Sequence, residues 1–315
     1  MTSTTGDILL LLSGVIVILA VFTVLGEALR ARVPDGETNP VVETFMTRVH
    51  SWWAMVVLLS LAVLSGKAAV IVLFAFASFA ALREFLTYAY KRQADHIALA
   101  LAFFVILPLQ YLFVGFGLTG LFTVFIPVYA FLLLPIVSAL RGDANRFLVR
   151  VAETQWGLMI CVFCISHVPA LLTFDVGTPG YEGRAILLIV FFAMVVQLGD
   201  LIEYFAGRRI GRRKVAPRLS PKTLEGIACG VIGAAVIGAL LSWITPFGLF
   251  GAAGMAALAS VTGMFGSLVF TAIKRDKGVK DWSHLIPGQG GFLDQLDSVI
   301  FAAPVFYHVS RVIWG

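Results

Sequence analysis

Two polar segments of the chain carry the side chains able to do chemistry. From Lys274 to Ser298, 25 residues hold four basic groups, four carboxylates, His284 and a Pro-Gly-Gln-Gly-Gly turn at 287–291. Glycine-rich turns let backbone N–H groups close around phosphate oxygens. Carboxylates suit Mg2+, which takes oxygen ligands and shares them with substrate phosphates. Lys and Arg neutralise the charge on a transferring phosphoryl group. Parts of the segment also have plainer uses: Asp294 stands where a helix N-cap would, Asp297 is favourable near a helix dipole, and Asp276 and Asp281 suit a solvated loop. The density of opposed charge beside the glycine turn points to phosphate-and-metal chemistry at a membrane surface.

The second segment runs from Gln197 to Gly226. Asp200, Glu203 and Tyr204 stand at i, i+3 and i+4, so a helix presents them on one face. Ionisable groups in a membrane helix are costly and face a wet cavity or a partner. Acids at this level also reach the headgroup layer and pair with Arg208 or Arg212. Seven basic residues follow between Arg208 and Lys222. That cluster serves equally as a substrate-phosphate contact or as an anchor to anionic lipid.

The elements that must position these groups are membrane helices. Of 315 residues, 59% are hydrophobic and 13% charged, against roughly 25% charged in a soluble domain, and the mean hydropathy is +0.95. This excludes a soluble enzyme, a disordered chain and a small secreted scaffold. Apolar runs long enough to cross a bilayer fall near 7–29, 51–66, 68–85, 97–116, 119–140, 157–174, 184–205, 226–245, 248–273 and 298–314. Gly66 and Lys67 are the only break between the second and third, which read as a hairpin or a tilted interfacial pair. The leader MTSTTGD is acidic, so the first span reads as a retained anchor. With the N-terminus outside, twenty of the 23 Lys and Arg residues fall in the five cytoplasmic connections, leaving Lys67, Arg184 and Arg311. The positive-inside rule selects that orientation, with both termini away from the cytoplasm. The net charge of +5 is therefore topological and calls for no nucleic acid. Cys161, Cys164 and Cys229 read as small core hydrophobes. No repeat or long linker divides the chain. The expected fold is an all-α polytopic integral membrane protein of about ten transmembrane helices, with a catalytic cavity on the cytoplasmic side. It is one membrane domain over 1–315, with scaffold helices in 1–183 and the chemistry in 184–315.

The pattern Lys-Arg-Asp-Lys-Gly-Val-Lys-Asp-x-Ser-His-Leu-Ile-Pro-Gly-x-Gly-Gly-x-Leu-Asp-x-Leu-Asp-Ser at 274–298 resembles the C-terminal motif of the phosphatidate cytidylyltransferase (CDP-diacylglycerol synthase) family. The stretch from Asp200 to Gly226 is similar to that family's Asp-x-x-Ala-Tyr … Gly-x-x-x-Gly-Arg … Ser-Pro-x-Lys-Thr-x-Glu-Gly region. Two motifs in the right order make the match specific over roughly 185–315. The resemblance implies condensation of CTP with phosphatidic acid to give CDP-diacylglycerol and pyrophosphate, dependent on Mg2+. It implies Asp200, Asp281, Asp294 and Asp297 as metal ligands. Lys274, Arg275 and Lys280, with Lys222, would hold the triphosphate or the lipid phosphate, and Gly288, Gly290 and Gly291 would offer backbone donors. Tyr204 and Ser220 belong to the substrate-binding set, and His284 would orient a phosphate or a carboxylate. A homodimer in a bacterial inner membrane is the accompanying expectation.

The chain departs from the family pattern at several points. Gly266-Ser267-Leu268 … Phe270-Thr271 stands where most members carry Gly-Asp-Leu … Glu-Ser, so two carboxylates are missing. Gln289 replaces the usual His, Gln295 the usual Arg, and the Ser220–Gly226 element is one residue short. Glu203 stands where alanine is common, a carboxylate gained near Asp200. These changes mark a divergent branch. Two other classes stand beside the enzyme reading: a transporter, with Gln110 and His167 as its only interior polar groups, and a catalytically silent scaffold for phospholipid synthesis. Whether Glu203 shares a cation with Asp200 and Asp281 separates that scaffold from the enzyme.

Overall fold

The computed structural model describes residues 2–32, 39–174, 181, 183–286 and 289–315. Among them the regular structure is helical. The helices are α1 (Thr2–Arg30), α2 (Pro40–Ser65), α3 (Lys67–Thr87), α4 (Gln93–Gly115), α5 (Thr119–Ala139), α6 (Phe147–Thr173), α7 (Ala185–Ile210), α8 (Leu224–Leu240), α9 (Gly248–Asp276) and α10 (Phe292–Trp314). Nine are long and apolar enough to cross a membrane. The seventeen-residue α8 rises about 26 Å, just short of a hydrocarbon core of about 30 Å. The chain is a polytopic all-α membrane protein. Its outward face is apolar, with Leu10, Val17 and Val24 of α1 and Phe104 of α4 exposed, as a bilayer requires.

Several helices outrun the apolar runs that announce them, because backbone hydrogen bonding continues into polar turns where the hydrophobic signal stops. The second begins at Pro40 rather than near 51, with proline at its first position, where the missing N–H has no helical acceptor to lose. The last begins at Phe292 rather than 298, which puts Asp294 and Asp297 on the helix. Gly66 separates α2 from α3, adopting φ of +96°, a conformation open to glycine. Helices α4, α5 and α6 each widen through a π-type turn, at Ala102–Ile106, Phe125–Ala130 and Met159–Cys164. The first two adjoin or contain a proline, Pro108 and Pro127, whose ring cannot share the regular ladder.

Helices α7 to α10 pack closely because small residues line their contacts. A Cβ at Gly230 of α8 would fall within 2.8 Å of the Gly199 carbonyl on α7, so only glycine permits that approach. Two groups of connections are tied together by polar contacts. At the end bearing most of the basic residues, Glu153 of α6 accepts from Lys277 and from the Tyr90 N–H. Arg150, fully buried, meets Asp95 and Asp143 at 3.1 Å each. At the other end Arg184 pairs with Asp7 at 2.7 Å, and the Tyr181 hydroxyl donates to the Ile244 carbonyl at 2.8 Å. Gln110 donates to Phe122 O and Ser166, and His167 Nδ1 bonds Phe163 O within the packed core. Neither side chain lines the large cavity between α1, α2, α3 and α7, α9, α10.

Candidate active site

A cavity of about 1500 Å³ lies between α1, α2 and α3 on one side and α7, α9 and α10 on the other. Both chain segments build it, the N-terminal one supplying residues such as Leu12, Arg48 and Phe74. Its basic end is polar and the remainder apolar.

Helix periodicity on α7 aims Asp200, Glu203, Tyr204, Gly207 and Arg208 at this cavity. Glu203, 5% exposed, pairs with Lys222 Nζ at 2.9 Å. Lys222 is delivered by a loop that folds back on itself. The Val215 N–H donates to the Lys222 carbonyl at 3.0 Å, and the Glu225 carboxylate accepts the N–H groups of Arg212 and Arg213. Thr223 then caps α8, its hydroxyl accepting from the Gly226 N–H at 3.2 Å. Glu203 thus holds Lys222, and Asp281 is not among the residues lining the cavity.

The Ser298 hydroxyl donates to Asp297 Oδ1 at 3.4 Å and lies beside Asp200, and Ser267 lies beside Asp297. The Ser298 N–H also donates to Asp297 Oδ1 at 2.7 Å. Ser267, where the resembling family carries a carboxylate, therefore sets a neutral hydroxyl beside Asp297. Lys222 is close enough to act electrostatically on both aspartates, without ion-pair contact to either.

Asp294 has a different employment. Its carboxylate meets Lys274 Nζ at 2.9 Å, the Trp282 N–H at 2.9 Å and the Gly291 N–H at 2.8 Å, tying the loop after α9 to the first turn of α10. Glu84, from the end of α3, completes that anchorage. It accepts from the Ser283 hydroxyl at 2.6 Å, the Phe292 N–H at 3.0 Å and the Leu293 N–H at 2.9 Å. A side chain at Gly291 would collide with the Glu84 carboxylate, and Gly290 turns at φ of +87°. Gln295 then donates to the Gln289 carbonyl at 3.0 Å, and Gln289 donates to the Arg48 carbonyl at 2.9 Å. The two glutamines that replace an expected Arg and His form a relay from α10 to α2.

Of the residues singled out from sequence, Asp200, Tyr204, Ser220, Lys222, Asp294 and Asp297 line the cavity. Lys274 stands behind Asp294. Arg275, Lys280 and His284 are exposed, and Gly290 and Gly291 shape the turn without lining the cavity. Gly288 lies outside the described residues. Sequence reasoning passed over Glu84 and the cavity role of Arg48. A lone acid at the end of an apolar run was the only signal for the first, and a basic residue three positions before one was the only signal for the second.

Mg2+ usually takes one or two carboxylates and completes its shell with water and substrate phosphates. Asp200 and Asp297 fit that donor set: both line the cavity and neither is in ion-pair contact with a cation. Among the described residues no cluster gathers three or more His, Cys, Asp or Glu side chains for a metal, so a pair completed by substrate is the arrangement available.

Comparison with known proteins follows the same lines. A phosphatidate cytidylyltransferase of Bacillus subtilis is 31% identical over 219 residues, covering 67% of this chain and 76% of that protein. One of Brucella abortus is 39% identical over 130 residues, 41% of this chain and 48% of its own length, so that match spans about half of the relative. An uncharacterized protein of Escherichia coli, YnbB, is 37% identical over 299 residues, 93% of this chain and 95% of that one. The profile of the cytidylyltransferase family matches residues 46–313, and the chain belongs to that family.

Proposed function

We propose that the protein transfers CMP from CTP to the phosphate of a membrane lipid, phosphatidic acid or a close relative, releasing pyrophosphate. The observation that carries this reading is the joining of Asp200, Asp297 and Lys222 to one cavity whose walls turn apolar away from the basic end. A water-soluble triphosphate and a lipid phosphate need such a place to meet, and the named relatives support the reaction class.

In this reaction an oxygen of the lipid phosphate attacks the α-phosphorus of CTP, and the bond from that phosphorus to the β-phosphate oxygen breaks. The products are a CDP-lipid and pyrophosphate. Most of the catalysis is positioning and neutralisation of charge. Asp200 and Asp297 would hold Mg2+, which supplies charge neutralisation to the pyrophosphate as it leaves. Ser298 keeps the Asp297 carboxylate oriented by donating its N–H to it at 2.7 Å. Lys222, steadied by Glu203, presents an ammonium to the phosphates. This reading puts the reaction at the cytoplasmic face, and the basic residues at this end of the bundle support it.

The test is incorporation of radiolabelled CTP into lipid by purified protein in micelles containing phosphatidic acid and Mg2+. Label in the lipid fraction, lost in Asp297→Asn, is the expected result. Absence of label above that variant, with phosphatidic acid and other lipid phosphates alike, overturns the reading. Asp297→Asn is the cleaner control, because Asp294 also holds the loop together.

A further inference from the structure

Arg48 lies on α2 at the basic end of the cavity and lines it. Its Nε is buried and has no hydrogen-bond partner among the described residues. The guanidinium lies near enough to the Tyr204 hydroxyl to act on it electrostatically, and that hydroxyl accepts from Arg208 at 2.7 Å. Two guanidinium groups thus converge on one neutral phenol oxygen. Among the described residues neither Arg48 nor Arg208 forms an ion pair. The carboxylates of the cavity lie elsewhere in its wall and pair with neither guanidinium, so the buried Arg48 Nε is left for an anion to satisfy. The planar fork of arginine suits a phosphate with two oxygens to offer.

The helix carrying Arg48 says what kind of anion. Trp52, Met55, Leu59 and Val63 follow Arg48 at +4, +7, +11 and +15, so all five share one face of α2, and all line the cavity. From Arg48 to Val63 that face runs about 22 Å at 1.5 Å per residue. An anion held at its head leaves an apolar tail lying along the stripe. The backbone under the head is fixed from α10, since Gln295 bonds the Gln289 carbonyl and Gln289 bonds the Arg48 carbonyl.

The geometry points to Arg48, with Arg208 and Tyr204, as the binding site for the phosphate of the lipid substrate, its acyl chains lying along the α2 stripe. Gln289 is a positioning residue for it. This rests on the proposed reaction for its lipid substrate but not for the binding itself, which is measurable alone.

The experiment uses the full chain in two assays. Native mass spectrometry reads retention of dioleoyl phosphatidic acid against dioleoyl phosphatidylcholine, and steady-state kinetics reads KM for CTP and for phosphatidic acid separately. Arg48→Gln is expected to raise KM for phosphatidic acid at least tenfold, to leave KM for CTP within twofold, and to abolish preferential retention of phosphatidic acid. Arg48→Lys is expected to fall between, and Gln289→Ala to raise the lipid KM severalfold with kcat at saturation preserved. Should Arg48→Gln fail to fold, the exposed Arg208→Gln carries the test with the same split between substrates. A rise in the CTP KM with an unchanged lipid KM assigns the phosphate to the nucleotide and overturns the proposal, as does no change in either. Retention of phosphatidic acid dependent on Arg48 in a protein that transfers no CMP sinks the transferase reading and leaves this site standing.

Discussion

The carboxylate of Glu203 and the ammonium of Lys222 meet at 2.9 Å across the cavity wall, joining α7 to the basic loop before α8. The pair explains how a cation carried on a loop is held at a fixed point beside Asp200. Breaking a buried pair from one side leaves the other charge uncompensated, at about 3–5 kcal/mol. Lys222→Ala is therefore expected to lower the thermal unfolding temperature and to abolish CMP transfer. The double variant Glu203→Ala with Lys222→Ala recovers the stability but not the transfer. Unfolding in detergent beside the label assay reads both, and recovery of transfer in the double variant removes Lys222 from the reaction.

Asp200 and Asp297 are expected to control metal dependence without controlling the fold. Chelation by EDTA stops transfer, and Asp297→Asn raises the Mg2+ concentration for half-maximal rate at least tenfold while the unfolding temperature moves little. A variant with an unchanged Mg2+ requirement excludes Asp297 as a ligand.

Ser267→Asp restores the carboxylate that the resembling family carries at this point. Beside Asp297, a second negative charge repels unless a cation lies between. The variant is expected to unfold at a lower temperature than the parent in EDTA and to regain the difference as Mg2+ is added. An equal unfolding temperature with and without Mg2+ separates Ser267 from the cation site.

Glu84 holds three donors of the loop and of the first turn of α10 while only 5% exposed. Glu84→Ala leaves those donors unpaired and is expected to cost about 3 kcal/mol or more. Gly291→Ala is expected to act in the same way, since its methyl group meets the same carboxylate. Both variants should become sensitive to proteolysis between Lys277 and Gly291. Resistance equal to the parent in both refutes this anchorage.

The membrane character and the two reactive segments were legible in the amino-acid sequence because each is a local property, whereas the expected tenth crossing is the short helix α8. Twenty apolar residues cannot remain in water, and Asp200, Glu203 and Tyr204 share a helix face whatever surrounds them. What those side chains do was not legible, because a carboxylate's employment depends on what approaches it from distant elements. Asp294 and Asp297 are three residues apart on one helix, yet the first is taken up by Lys274 and two backbone amides, while the second faces Ser267. Asp281, alike in type and neighbourhood, stays off the cavity. Arg48 and Glu84 stand 241 and 199 residues from Gln289 and Ser283, the loop residues they meet. No spacing rule connects such pairs. Only the packing of α2 and α3 against the loop before α10 brings them together, and that packing decides which charges are neutralised within the protein and which remain for a substrate.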